Sequence, residues 1–389
     1  MSSGGVVIVG AGPGGLATAR AYREHGGTAP VTLIGEEDLL PYRRPPLTKE
    51  LMRGELEKGE LALERREWFD EHDVRLLQAV KVVAIDRDRG SVTLEDRRLL
   101  EAEAIVLATG SEPLRPALAG LDHPSVLTMR TLADSRAITA CADAAETVVV
   151  IGTGFIGCEI AGSLALRGAR VRLIGQEAAP QQERLGADVA QRIAGWLEQL
   201  AVELISGAEV RAVHDARTVE LCDGRRIAGS CVVLGMGASP RVDLARAAGL
   251  ALRDGAVLVD QTLRSPGGEA MVLAVGDVAH ALNVSAGRHV RVEHWGDALE
   301  QGALAGCTLA RGEGHWDGVP GFWSTIGRRT LKYAAWGDGY DKARFIAHPG
   351  GGFTAWYSRD GVAVGVLTHE CDADYERGKD LIRKGAAAP

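Results

Sequence analysis

An α/β fold is expected for this chain: two Rossmann-like parallel-sheet units, then a smaller C-terminal α+β domain built on an antiparallel sheet. Three observations carry this. Residues 6–9 are a run of β-branched side chains, the composition of a strand buried on both faces, and they run into a glycine-rich turn and an Ala-rich amphipathic segment. The same succession restarts near residue 147, its first glycine 142 positions on (152 minus 10), which is the repeat of a whole unit and not a solenoid period. From residue 319 onward the pattern changes to short runs separated by Gly-rich turns, as in antiparallel strands.

In the first unit Gly10, Gly12 and Gly15 complete G-x-G-x-x-G, with Pro13 and Gly14 between them and a helix expected over 16–25. The first glycine makes the tight turn, the second lets backbone approach a pyrophosphate, and the third packs helix on strand. The helix start offers free N–H groups and the positive end of its dipole. A second strand, 31–34, ends at Gly35-Glu36, which places Glu36 at about the 20-residue spacing of the acid that takes ribose hydroxyls. The second unit repeats this: strand 147–151, then Gly152, Gly154 and Gly157 around Phe155 and Ile156, helix 158–167 and strand 171–174. A strand over 104–107 ends in Ala108-Thr109-Gly110, and one over 231–234 ends in Gly235-Met236-Gly237 in the same place. Two such units in one chain point to a tightly held FAD and a nicotinamide cofactor that comes and goes.

Between and beyond the units, residues 41–49 carry three prolines, which rule out regular helix, together with Arg43, Arg44 and Lys49. They form a rigid surface loop or a cap over an anion. Residues 50–73 read as charged helix, with short strands over 74–77, 80–85 and 92–94. A strand over 270–275 precedes Gly276-Asp277, and an acid at the carboxyl edge of a parallel sheet lies where ligands bind. Its side chain equally suits a helix N-cap. Glu293-His294-Trp295 then leads into a helix over 297–311. The last domain has expected strands at 322–323, 331–336, 344–347, 353–357 and 362–367, a charged helix over 373–384 and a frayed end. The expected domains are 1–112 with 245–318, 113–244, and 319–389.

Composition excludes other classes. The net charge of −8 argues against general nucleic-acid affinity, and no apolar run approaches the ~18 residues of a membrane span. The first strand begins almost at once, leaving no room for a signal peptide. Six scattered cysteines without C-x-x-C read as small hydrophobes in a reducing cytoplasm, and they give no metal site.

Five motifs together resemble the FAD-dependent pyridine-nucleotide oxidoreductases, in particular the putidaredoxin-type reductases of ferredoxins and rubredoxins. They are Pro-Tyr-Arg-Arg-Pro-Pro-Leu-Thr-Lys at 41–49, Ala-Thr-Gly at 108–110, Val-Gly-Asp-Val-Ala at 275–279, Val-Glu-His-Trp at 292–295 and Phe-Trp-Ser at 322–324. The resemblance spans nearly the whole chain. It implies FAD contacts at Gly14, Glu36, Arg44, Lys49, Val82, Arg130, Asp277 and Trp295, in a site that also takes in Ala108, Thr109, Gly110, Gly276, Glu293, His294 and Trp323. Val82 would act through its backbone and is otherwise an ordinary strand residue. The nicotinamide nucleotide falls to Gly152, Gly154, Phe155, Ile156, Gly157, Gln176, Arg184 and Gly237. Glu159, which otherwise simply complements its helix dipole, is implied to pair with Lys49 beside the nicotinamide.

The implied reaction is hydride transfer from NADH or NADPH to FAD, then single electrons to a small iron–sulfur protein, a ferredoxin or rubredoxin, serving an oxygenase. The implied protein is cytoplasmic, a monomer or homodimer, and binds neither nucleic acid nor membrane. The alternative is direct reduction of a small molecule or of oxygen. A thiol-dependent disulfide reductase needs a cysteine in the first unit, whereas the first here is Cys141. A signalling flavoprotein of the apoptosis-inducing-factor type is a further alternative.

Two places depart from the family pattern. The acid expected after the second strand of the second unit is replaced by Gly175-Gln176, which removes the usual repulsion of the NADPH 2′-phosphate and leaves discrimination weak. After Phe-Trp-Ser, the usual Asp-Gln is replaced by Thr325-Ile326-Gly327-Arg328-Arg329. Arg328, Arg329 and Lys332 suggest a basic patch that steers an acidic ferredoxin, or a strand edge blunted by charge.

Overall fold

A computed structural model describes residues 4–389. Its α-helices of twelve residues or more are α1 (Pro13–Glu24), α2 (Leu132–Ala144), α3 (Phe155–Leu166), α4 (Ala187–Gln199), α5 (Trp295–Arg311) and α6 (Asp372–Arg383). The chain divides into two compact units. Unit 1 takes residues up to Arg43, Ala62–Glu112 and Ser239–Phe322; unit 2 takes Arg44–Leu61, Pro113–Ala238 and Trp323–Pro389.

Unit 1 is built on a sheet in the order Val74–Leu77, Val31–Ile34, Gly5–Val9, Leu99–Leu107, Ser91–Leu94, Val82–Asp86, with Met271–Ala274 also paired to Leu99–Leu107. The first four strands and Met271–Ala274 run parallel; the last two add an antiparallel hairpin. Strand Leu99–Leu107 starts five residues before its apolar run, because its first half pairs with the hairpin and alternates exposed and buried residues. Helix α1 starts at Pro13, earlier than its apolar periodicity, since proline suits the first helical position. Along α1 lies α5. A side chain at Gly302 would overlap the Gly14 carbonyl, and one at Gly306 would press on Thr18 and Tyr22, so these two glycines set how closely the helices approach.

Unit 2 holds a parallel sheet in the order Glu203–Ile205, Val171–Ile174, Val148–Ile151, Cys231–Leu234, Val126–Thr128. An antiparallel sheet follows in the order Gly321–Ile326, Arg329–Ala335, Val362–His369, Phe353–Arg359, Lys342–Ala347. Its core is aromatic: Tyr333 and Tyr340 both meet Tyr357, whose hydroxyl donates to the Leu185 carbonyl at 2.8 Å. Burial and the two neighbouring phenols hold the Tyr357 hydroxyl well above its ordinary pKa, so it stays a donor.

Three expectations are corrected here. Residues 50–73 form short pieces, Glu50–Arg53, Lys58–Leu61 and Arg66–Glu71, the first ended by Gly54 at φ 76°. The C-terminal residues are tied down rather than frayed: the Ala363 N–H donates to Ala386 at 2.8 Å and the Ala388 N–H to Gly361 at 3.1 Å. Cys141 of α2 and Cys231 form a disulfide instead of packing as free small hydrophobes.

Candidate functional site: two dinucleotide turns and a buried carboxylate

The two glycine turns are built alike. Gly10 at φ +115° and Gly152 at φ +108° adopt backbone closed to other residues, and a side chain at either would overlap a carbonyl, that of Ala108 or Gly235. A side chain at Gly15 or Gly157 would overlap the carbonyl of Gly10 or Gly152, so each helix packs on its own turn. Helices α1 and α3 begin at Gly12 and Gly154 with no side-chain cap. Helix α2, by contrast, is sealed by a full capping box between Thr131 and Asp134. The first-turn N–H groups of α1 and α3 are thus left to a ligand, which is how a pyrophosphate is bound. Around Gly12 nothing lies within 4 Å of where a side chain would start. That space fits the pyrophosphate of FAD.

In unit 1, Glu36 is exposed just past its strand, and the Arg241 guanidinium donates to its carboxylate at 2.9 Å. Arg241 is fixed through its backbone, donating to Gly110 at 2.9 Å and accepting from the Thr109 hydroxyl at 2.8 Å. Asp277 is buried at the carboxyl edge of the sheet, and the Ser111 hydroxyl donates to it at 2.6 Å. It sits inside a single 3₁₀ turn, Gly276–Val278, that leads into a strand, so it caps no following helix. The Gly276 N–H donates to the Gln301 side chain at 2.8 Å, which ties this turn to α5. Glu293, His294 and Trp295 form the entry to α5. His294 meets Asp297 at 3.3 Å and its ring lies against Phe322. Val82 is buried at the start of its strand.

Arg44, Lys49, Arg130 and Trp323 belong to unit 2. The Arg44 guanidinium donates to the Arg130 carbonyl at 2.7 Å, and Trp323 is exposed on the first strand of the antiparallel sheet.

Glu159, in the first turn and a half of α3, is 2% exposed. Its Oε2 accepts from the Lys49 ammonium at 2.7 Å and the Thr48 hydroxyl at 2.5 Å. Its Oε1 accepts from the Ser324 hydroxyl at 2.7 Å and the Thr325 N–H at 3.1 Å. Four donors on a buried carboxylate satisfy it fully, which a buried charge requires. The sequence reading missed Thr48, Ser324, Thr325 and Arg241. Beside Glu159, the Cys158 thiol is fully buried, and burial with the Glu159 and Glu177 charges pushes its pKa up, so it is inert.

Past the strand of unit 2, Gln176 occupies the place Glu36 has in unit 1. Gly35 donates to Leu77 at 2.8 Å and Gly175 to Ile205 at 3.0 Å; Val80 donates to Gly35 and Ala208 to Gly175, both at 2.9 Å. Gln176 is exposed, as Glu36 is. Glu177 is turned away, accepting from the Glu183 N–H at 2.7 Å. The Arg184 guanidinium lies over the Phe155 ring at 5.6 Å and the Tyr333 ring at 5.4 Å, beside the start of α3.

No helix among the described residues is long and apolar enough to cross a membrane. A family model described as pyridine nucleotide-disulphide oxidoreductase matches residues 4–302. Rhodocoxin reductase of Rhodococcus erythropolis is 31% identical over 86% of this chain and 79% of its own length. Putidaredoxin reductase of Pseudomonas putida is 30% identical over 97% of this chain and 91% of its own. Among solved structures, a ferredoxin reductase from Rhodopseudomonas palustris has a TM-score of 0.92 at 27% identity, covering 98% of this chain and 95% of that one. The covalent complex of putidaredoxin reductase with putidaredoxin has a TM-score of 0.90 at 28% identity, covering 99% and 94%. With a glycine turn and an uncapped helix in each unit, and relatives matched along almost their whole length, the chain belongs to the pyridine nucleotide-disulphide oxidoreductases.

Proposed function

We propose that this protein is an NAD(P)H-dependent flavoprotein reductase that passes electrons to a small iron–sulfur protein, a ferredoxin or rubredoxin, serving an oxygenase system. The observation that carries the reading is the pair of dinucleotide turns, each opening an uncapped helix, in a chain matched end to end by reductases of that kind. Bound FAD supplies the exchange between a two-electron hydride donor and a one-electron acceptor.

Unit 1 holds FAD in this reading. The start of α1 takes the pyrophosphate, Glu36 the adenosine ribose hydroxyls, the Val82 backbone the adenine, and Asp277 the sugar-alcohol chain. The entry to α5 at Trp295 offers its N–H groups to the flavin. For Arg44, Lys49 and Trp323 the assignment to FAD rests on the motifs in which they stand, and for Arg130 on the family resemblance alone. Residues 113–244 bind NAD(P)H through the start of α3, Gln176, Arg184 and Gly237. Lys49 and Glu159 act by position: hydride transfer needs the donor ring held at reacting distance, and no proton has to move at either side chain. The reading places the enzyme in the cytoplasm as a monomer or homodimer.

The test is reduction of a cytochrome-type acceptor by NADH or NADPH with and without an added [2Fe–2S] ferredoxin. Ferredoxin-dependent reduction is expected. Equal rates without ferredoxin favour direct reduction of small acceptors and defeat the assignment.

A further inference from the structure

Gly154, the second glycine of the unit 2 turn, stands where a pyrophosphate must approach the backbone. Its counterpart Gly12 faces open space, but at Gly154 the Gln181 amide Nε2 lies 3.9 Å from where a side chain would start. Gln181 is only 7% exposed, and among the described residues its amide has no hydrogen-bond partner. The side chain is packed into the protein, yet its amide is not sealed from solvent and stays open to a ligand. The residue is also held in an unusual backbone, φ 64° and ψ 21°, in the left-handed region that glutamine seldom adopts. That conformation is fixed from both sides: Gln182 donates to Ala179 at 3.2 Å and Leu185 to Gln181 at 2.8 Å. A packed-in side chain with an unpartnered amide and an uncapped helix therefore meet at one point.

We propose that Gln181 is a ligand of the nicotinamide dinucleotide, its amide N–H donating to a pyrophosphate oxygen seated on the N-terminus of α3. This rests on the reading that unit 2 binds NAD(P)H. The amide gains the partner it lacks in the free protein, and a charged acceptor makes that bond a strong one. Because NADH and NADPH share the pyrophosphate, Gln181 serves both alike.

The experiment uses the FAD-loaded protein and two probes: ADP-ribose, followed by calorimetry, and adenosine, which lacks phosphate, followed by ligand-observed NMR. The variant is Q181G, since glycine suits the left-handed backbone and the fold keeps or gains thermal stability. Q181E is the second variant, placing a negative charge against the phosphates. Q181G should weaken ADP-ribose about tenfold, the loss of one hydrogen bond to a charged group, and Q181E more, with adenosine unaffected in both. Unchanged ADP-ribose affinity in both variants overturns the proposal. So does an equal loss for adenosine, which marks a structural role. Wild-type protein that fails to bind ADP-ribose overturns the nicotinamide reading itself, and this proposal with it.

Discussion

At the scale of single residues, Glu159 shows what sequence reading reaches and where it stops. Its pairing with Lys49 was expected from the family resemblance. The hydroxyls of Thr48 and Ser324 were not, because they lie 111 and 165 positions from Glu159 and no local pattern links them. Glu159→Ala leaves the Lys49 ammonium buried without its counter-charge, a cost of about 3–5 kcal/mol, so a lower melting temperature is expected along with slower flavin reduction in stopped flow. Glu159→Gln keeps the shape but removes the same counter-charge, so it should slow reduction and lower stability as well; wild-type reduction rates in both variants and in Lys49→Ala would remove these residues from the nicotinamide site. Asp277→Ala takes away a buried carboxylate facing the expected FAD chain. It should weaken FAD retention by ~1.5–3 kcal/mol, read as free flavin after gel filtration. Gln176 sits where Glu36 sits in unit 1, so the wild-type protein should accept NADPH to within about tenfold of NADH, and Gln176→Glu should shift the ratio toward NADH. The neighbouring Gly175 does not suit that test, since a side chain there overlaps Thr153. A wild-type preference for NADH of several hundredfold would show that another group supplies the selectivity.

At the scale of elements, the buried strands were the most legible, because parallel strands covered on both faces leave continuous β-branched runs. Strands Val31–Ile34, Val171–Ile174 and Cys231–Leu234 have the expected ends. Helix starts were less legible: α1 and α3 begin three residues before their apolar faces do, inside the glycine turns themselves. The close approach of α1 and α5 was not legible at all, since a glycine inside a helix reads as a weakness until the carbonyl opposite it is known. Gly306→Val should force the pair apart and lower stability by about 1–3 kcal/mol, measured by urea denaturation with the flavin bound. An unchanged midpoint would show that the helices are not in contact through this glycine.

At the scale of the whole molecule, the internal repeat and the C-terminal antiparallel sheet were open to sequence because each is a long pattern. The membership of residues 44–61 in unit 2 has no local signature; it depends on contacts such as Lys49 with Glu159 and Ser135 with Leu47, at 2.7 Å each. The basic patch also looks different in three dimensions. Arg328 pairs with Glu55 and Lys332 with Asp372, both at 2.7 Å, while Arg329 donates to Gln199 and lies over Trp196. Two of the three cations are thus paired with a neighbouring carboxylate, while Arg329 keeps its charge without one.

The central claim is a relay from a nicotinamide nucleotide through one bound flavin to an iron–sulfur protein. Anaerobic double-mixing stopped flow tests it most directly: the yellow FAD-loaded protein is mixed with one equivalent of NADH or NADPH, then with two equivalents of oxidised [2Fe–2S] ferredoxin. The account predicts bleaching of the flavin in the first mix, and its recovery in step with ferredoxin reduction in the second. A flavin that does not bleach, or that bleaches and then leaves the ferredoxin oxidised, would contradict it.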